Sequence, residues 1–373
     1  MLITYLARIQ FDFGAVRLLG EELRGLDIRR PFVVTDAGVV AAGLLDRARA
    51  ALPAGTAAVL FDGTPSNPTE DAALAALARY RAEGCDGVVA IGGGSPMDLG
   101  KAVALLATHA GSLEDYGVLA GNAARITGAI APVVAIPTTA GTGSEVGRAC
   151  SITLRTGRKA ACVSPHLIPR VALCDPELTL GLPPALTAAT GMDALSHGVE
   201  AVLSNRINPP AEAIALDCVE RVSRFIERAV ADGGDREARW QMLMAALEGG
   251  LTFQKGLGAV HALSHPLGEL GLHHGTLNAV LLPAVLRFNA THAADRYPRL
   301  ARAMGLHAEA DLAGHVARLT ARLGLPPGLR AMGVPEQAIP AIAAAAARDH
   351  LSETNPRPAA ATDYARLLTE SMG

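Results

Sequence analysis

The sequence predicts an α/β half followed by an all-helical half, and three observations carry that prediction. Short β-branched runs alternate with Ala/Leu-rich helical stretches through the first half of the chain. Those runs stop after about Asp175, and nearly everything beyond has helical period. At 373 residues the chain is long enough for two cores. The runs "PFVVTD" (31–36), "AAVLFDG" (57–63), "GVVAIGGG" (87–94), "PVVAIPTT" (132–139) and "RVALCDP" (170–176) read as buried strands, with "EDAALAALARYRAEG" (70–84) as one intervening helix. Apolar strands separated by helices mean a parallel sheet covered on both faces. The Pro/Gly-punctuated "LTLGLPPALTAATG" (178–191) is the connection, so the two domains are expected at 1–178 and 179–373.

Half of the residues are hydrophobic but only 3% are aromatic, so the cores must be built from Ala, Leu and Val. A net charge of −3 provides no electrostatic footprint for nucleic acid or an acidic membrane surface. Cys85, Cys150, Cys162, Cys174 and Cys218 are odd in number, scattered and without a CxxC pair, which suggests free thiols in a reducing compartment. The amino-terminal stretch lacks a basic region leading into a long apolar core, and no uncharged apolar run is long enough to span a bilayer. A cytoplasmic protein is the expectation. Lysine occurs only at Lys101, Lys159 and Lys255, against a background of arginine, so each lysine is informative.

"VVAIGGGSPMDLGKAVALL" (88–106) reads as strand, glycines, then a helix opening at Ser95 or Pro96. Glycines let backbone approach a ligand closely, and a helix N-terminus offers free amides and a positive dipole end. That is a seat for a pyrophosphate, although the pattern is neither GxGxxG nor a Walker A loop. "PTTAGTGSEV" (137–146) repeats the logic after another strand, with Thr138, Thr139, Thr142 and Ser144 around Gly141 and Gly143. Loops at the carboxyl ends of parallel strands lie where open α/β sheets bind ligands. Asp36 in "VVTDAG" (33–38) follows an early strand, where a carboxylate accepts from ribose hydroxyls and repels a 2′-phosphate, favouring NAD over NADP.

In the helical half, "GMDALSHGVEA" (191–201) sets Asp193 and His197 one turn apart, off the apolar stripe of Met192, Leu195, Val199 and Val202. "GLGAVHALSHPLGELGLHHGTLNAV" (256–280) adds His261, His265, His273 and His274. One acid and three neutral imidazoles make a mixed oxygen/nitrogen site for a divalent ion such as Fe²⁺ or Zn²⁺. Spacing alone leaves four imidazoles of this segment competing for the remaining places.

The ordered set "GGGSPMDLGK", "PTTAGTGSEV", "GMDALSHGVEA" and "HALSHPLGELGLHHG" resembles the iron-containing, group III alcohol dehydrogenases over nearly the whole chain. The resemblance implies a Rossmann-like NAD(P) domain, a helical metal domain in an architecture like that of dehydroquinate synthase, and a catalytic cleft between them. It assigns the metal ligands to Asp193, His197, His261 and His274. His265 matches the extra histidine near the nicotinamide, taken here as the residue that relays the proton to solvent. Gly93, Gly94 and Ser95 match the pyrophosphate loop, Thr138, Thr139 and Thr142 the second cofactor loop, and Asp36 the ribose-side acid. Asn67, Asp98 and Lys159 complete the expected cofactor contacts. Two departures stand out. The segment between His265 and His274 is one residue shorter than is common in the family, leaving His273 as a rival to His274. After "GSEV" the usual threonine is Gly147, followed by Arg148.

The implied reaction is hydride exchange between the nicotinamide C4 and a small alcohol or aldehyde activated by the metal, here favoured as Fe²⁺ with Zn²⁺ as the alternative. Phe253 in "LTFQKGLGAVH" (251–261) is placed to wall the pocket. Lys255, with Arg148, is a candidate holder of a remote carboxylate, sulfonate or phosphonate, as in a short ω-hydroxy acid such as 4-hydroxybutyrate and its semialdehyde; a solvated lysine is the competing reading. Maleylacetate reductases resemble the family but lack the full metal set. Dehydroquinate synthase, a lyase, needs more basic side chains than three lysines supply. The family also implies a homodimer or larger homo-oligomer.

Overall fold

The computed structural model describes Ile3, Tyr5 and residues 7–373, whose contacts divide into two compact units. One comprises Tyr5–Thr139 and Ser144–Thr179; the other contains Ala140–Gly143 and Leu180–Gly373. The four-residue excursion at Ala140–Gly143 interrupts the single cut drawn from the sequence.

Among the described residues, the first unit is built on eight strands: β1 (Arg8–Phe11), β2 (Pro31–Val34), β3 (Val59–Phe61), β4 (Gly87–Gly92), β5 (Val133–Pro137), β6 (Ala149–Thr153), β7 (Lys159–Val163) and β8 (Val171–Cys174). Six form a parallel sheet in the order β1-β8-β5-β4-β2-β3, while β6 and β7 pair as an antiparallel hairpin. Helices α1 (Leu19–Gly25), α2 (Ala37–Ala41), α3 (Leu44–Ala50), α4 (Glu70–Ala82), α5 (Gly94–Thr108) and the short α6 (Leu113–Tyr116) connect them. Successive strand residues point to opposite faces. Phe32, Val34, Val88 and Val133 therefore pack against α4 and α5, while Val33, Val89, Ile91, Val134 and Ile136 pack against α1 and α3. Both faces are dry, which is why these strands read as unbroken apolar runs.

The five sequence-read strands correspond to β2, β3, β4, β5 and β8. The sequence reading omitted β1 and the β6–β7 hairpin. β1 is a partly exposed edge strand of mixed polarity, and the hairpin alternates half-buried with buried residues, so neither presents a continuous apolar run. Adjacent β2, β4 and β5 run parallel, so Asp36, the Gly92–Gly94 turn and Thr138–Thr139 leave neighbouring strands at the same, carboxyl, edge of the sheet.

The second unit is helical: α7 (Pro184–Leu203), α8 (Pro209–Ala231), α9 (Arg236–Leu251), α10 (Ala259–Gly268), α11 (His274–Asn289) and further helices up to Glu370. No described helix is long and apolar enough to cross a membrane. Every residue of α7 from Thr187 to Leu203 is buried. This corrects the one-stripe reading: Asp193 and His197 are as enclosed as the apolar positions, because α7 is the central helix, packed by α8, α9 and α11. Asn208 and Asp235 cap α8 and α9 by accepting from Ala211 N and Ala238 N at 3.2 and 3.0 Å.

Between α8 and α9, Arg221 bridges Asp217 and Glu248. Burial, then the neighbouring Asp217, pushes the Glu248 carboxyl up to about 9 from 4.5. The folded state therefore keeps a proton that the unfolded chain releases, and stability declines as pH rises from about 4.5 through about 9. Thermal melting of Glu248→Gln should show a smaller loss across that window than the unsubstituted protein; parallel curves for the two would refute the assignment.

Candidate metal centre and nucleotide loops

Three helices bring the helical-half candidates together. α7 supplies Asp193 and His197, with His197 Nε2 3.5 Å from Asp193 Oδ1. α10 supplies His261, whose Nε2 lies 3.7 Å from the same oxygen. His274, the first residue of α11, places its Nε2 also at 3.7 Å. The donor atoms of Asp193, His261 and His274 lie within 4.8 Å of one another, while His197 stacks on His261 at 4.7 Å between centroids. His273 is used differently, as the cap of α11, where its Nδ1 accepts from Thr276 N at 3.4 Å. The close approach of α11 to α7 requires Gly275, where a Cβ would sit 2.3 Å from Ala189 O.

The residues fit a divalent cation on two grounds. First, ligand atoms about 2.1 Å from a tetrahedral ion are separated by about 3.4 Å, and three imidazole nitrogens surround Asp193 Oδ1 at 3.5, 3.7 and 3.7 Å. Second, the convergence draws positive charge. The Nδ2 amide group of Asn278 faces Asp193 Oδ1 at 2.7 Å and the Nε2 atoms of His261 and His274 at 3.2 Å each, while its own buried Oδ1 has no partner. Two amide hydrogens shared among three electron-rich atoms leave room for a cation's charge.

Electrostatics separate the groups. Burial pushes Asp193 up, but His197, His274 and His261 outweigh it and hold the carboxyl far below the usual range. Burial drags His197 down to about 4, against the opposing pull of Asp193. Burial also disfavours charge on His261, yet Glu200 and Asp193 carry it up to about 9. Around this cluster, Phe253 sets its ring edge-on to His197 at 4.8 Å. His265 stacks on His274 at 6.0 Å, with its Nδ1 2.8 Å from Asp349 Oδ2.

Lys255 does something other than the two roles considered from sequence. It is buried, its ammonium donating to the carbonyls of Ala201 and Val202 at the end of α7 and pairing with Glu212 at 3.2 Å. With its charge spent on helix-terminal carbonyls, it is neither solvated nor offered to a substrate. Arg148 is half-buried, its carbonyl accepting from Ser164 N.

In the first unit, α5 starts at Gly94 with Gly93 as a cap lacking a side chain, so its first amides have no side-chain acceptor. Gly92 turns the chain with φ 149°, and a Cβ there would lie 2.6 Å from Pro96. The Thr139 hydroxyl faces Gly93 and has no hydrogen-bond partner, and Thr138 N donates to Gly92 O at 3.0 Å. These loops are a cradle suited to a pyrophosphate. Ser95 sits half-buried in the first turn of α5, and Thr142 falls within Ala140–Gly143, the excursion that belongs to the helical unit. Asp36 caps α2 by accepting from Val39 N at 2.9 Å. Lys159 donates to Asn67 Oδ1 at 3.3 Å, joining two residues far apart in sequence. Asp98 departs from its expected cofactor contact: its oxygens accept from Ser144 Oγ and Ser151 N, both at 2.9 Å. With Lys101, which donates to the Ser144, Gly147 and Ala149 carbonyls, it fixes the second loop from behind.

Two residues of the centre escaped the sequence reading, Glu200 and Asn278. Glu200 follows His197 by three residues and Asn278 follows His274 by four, one turn along α7 and α11.

A cation-fitting cluster and a pyrophosphate-fitting cradle in one chain suit a metal-dependent, dinucleotide-linked enzyme. The family model for iron-containing alcohol dehydrogenase matches residues 7–176, and that for the C-terminal part of the Fe-containing alcohol dehydrogenase family matches 187–372. The chain is 55% identical to the 4-hydroxybutyrate dehydrogenase of Cupriavidus necator, with 99% of each chain covered. Among solved structures, a 1,3-propanediol oxidoreductase superposes with a TM-score of 0.93 at 35% identity, covering 100% of both chains. Sulfoacetaldehyde reductase from Bifidobacterium kashiwanohense in complex with NAD⁺ superposes with a TM-score of 0.89 at 30% identity, covering 100% of this chain and 99% of that one. The chain belongs to the iron-containing alcohol dehydrogenase family. It is an oxidoreductase acting on CH–OH groups, and the family implies NAD(P) and a divalent metal.

Gly275→Ala tests the packing that sets His274. Alanine adds up to about 1 kcal/mol of helix propensity, but overpacking costs about 1–3 kcal/mol, so denaturant unfolding should show a net loss of stability together with weaker metal retention. Unchanged values for both would refute the close-approach argument.

Proposed function

We propose that this enzyme interconverts 4-hydroxybutyrate and its semialdehyde, using NAD and Fe²⁺, with Asp193, His197, His261 and His274 as the metal ligands. The observation that carries the ligand set is the convergence of three imidazole nitrogens on one buried Asp193 oxygen. The substrate rests on the identity to the Cupriavidus necator enzyme. Iron is favoured by the family, and the mixed oxygen/nitrogen donors suit Zn²⁺ as well.

When bound, the cation supplies Lewis acidity, which makes a substrate hydroxyl easier to deprotonate and a carbonyl easier to reduce. Asp193 would offset part of its charge, and the three imidazoles would hold it in place. Phe253, lying against His197, walls the site with an apolar ring that excludes water. Asp349 holds the Nδ1 side of His265, leaving Nε2 to hold or pass on the alcohol's proton. Gly93, Gly94, Ser95, Thr138, Thr139 and Thr142 seat the dinucleotide, with Asn67 and Lys159 beside its ribose. The free cysteines suit a cytoplasmic enzyme, and a homodimer or larger assembly follows the family pattern.

Nicotinamide absorbance with NAD and a panel of alcohols tests this reading. Turnover of 4-hydroxybutyrate should exceed that of 1-butanol, vanish after chelation and return with Fe²⁺. Activity indifferent to chelation would refute the metal, and a preference for 1-butanol would refute the substrate. Arg148 is the proposed partner of the substrate carboxylate, since Lys255 is committed to the carbonyls at the end of α7. Arg148→Ala should raise KM for 4-hydroxybutyrate and leave that for 1-butanol unchanged; equal effects on both remove it.

Asp36 is proposed to exclude a 2′-phosphate. Replacing it by glycine should improve kcat/KM with NADP relative to NAD by an order of magnitude or more, since the removed charge repels the phosphate directly. An unaltered ratio would assign Asp36 to helix capping alone.

A further inference from the structure

We propose that Glu200 is a positioning residue for the metal, holding a proton on His261 Nδ1 so that the ring presents its Nε2 lone pair toward Asp193 and His274. The inference rests on the ligand set proposed above. Glu200 lies on α7 one turn beyond His197 and is buried. Both carboxylate oxygens are used, and both on α10: Oε1 accepts from Val260 N at 2.7 Å, and Oε2 faces His261 Nδ1 at 2.5 Å.

A carboxylate can only accept here, so Nδ1 must carry a hydrogen, and Nε2 is the nitrogen that can give up its proton to a cation and donate a lone pair. That nitrogen is the one 3.7 Å from Asp193 Oδ1. Val260 N is among the free amides at the start of α10, whose capping residue Gly258 has no side chain to offer. A neighbouring amide, Ala259 N, is taken by Asn355 Oδ1 at 3.2 Å. A Cβ at Gly258 would lie 2.8 Å from Asn355 Oδ1 and 3.0 Å from Glu200 Oε1, so glycine there admits both side chains. One carboxylate thus fixes the height of α10 on α7 and the tautomer of its histidine together.

Glutamine at this position separates the two roles. Its amide has one acceptor and one donor side, so either Val260 N or His261 Nδ1–H loses its acceptor. If the donor side faces Nδ1, the ring proton moves to Nε2 and blocks the metal. Glu200→Gln should therefore bind metal about 10- to 100-fold more weakly, measured as Zn²⁺ retained against a competing chelator. Asn355→Ala, which removes the other cap without touching the ring, should stay within a few-fold of the unsubstituted protein. Histidine-ring NMR of Zn²⁺-loaded, isotope-labelled unsubstituted protein, with His261→Asn for assignment, should show the Nδ1–H tautomer; this readout needs no Glu200 variant to fold. Near-unchanged metal binding in Glu200→Gln, an equal loss in Asn355→Ala, or an Nε2–H tautomer would each overturn the role of Glu200. Failure of the unsubstituted protein to retain any metal would instead overturn the ligand set beneath it.

Discussion

One buried carboxylate organises the helical half. Asp193 has almost no access to solvent, and a charge taken out of water must be met by other charges or by hydrogen-bond donors. Three imidazoles from α7, α10 and α11 and the amide of Asn278 converge on its Oδ1. Much of what surrounds it keeps those partners in place: Glu200 against α10, the glycine that lets α11 approach, and Lys255 on the last carbonyls of α7. Stability and chemistry are drawn from the same contacts, so a stabilising substitution in this shell acts on the site as well.

The sheet half solves the opposite problem. To seat the dinucleotide proposed above, it must leave hydrogen-bonding groups unsatisfied. The parallel order puts three turns at adjacent strand ends, and Gly93 withholds a cap from α5, while the Thr139 hydroxyl remains unpaired. Asp98 and Lys101 then use their own charges on backbone groups behind the second loop, which pre-sets the polar atoms in front. Preorganisation of this kind lowers the entropy that ligand binding would otherwise cost.

Much of the molecule was legible in the sequence because its signals are local. Strands dry on both faces read as apolar runs, and an acid and imidazole one turn apart announce a shared target. What was not legible depends on distant partners. Asp98 and Lys255 carry charge, but no local pattern reveals that their counterparts are buried groups of the protein itself, so the sequence presents Asp98 as a cofactor contact and Lys255 as either a substrate contact or a solvated side chain. Glu200 and Asn278 act on residues 61 and 85 positions away. β1 and the hairpin hold mixed-polarity sequences that only their sheet neighbours make regular. His273 and His274 could not be separated by spacing, whereas the start of α11 assigns one to the cap and the other to the cluster.

The fate of the three lysines carries a practical corollary. Lys101 and Lys255 are sealed inside the protein, each surrounded by carbonyl oxygens, while Lys159 is half-buried beside Asn67. On a surface whose cationic side chains are otherwise arginines, a mild acylating reagent has essentially one amino side chain to meet. Covalent labelling of the amino side chains would thus centre on Lys159, and with the dinucleotide seated beside it as proposed, the labelling rate would fall on binding.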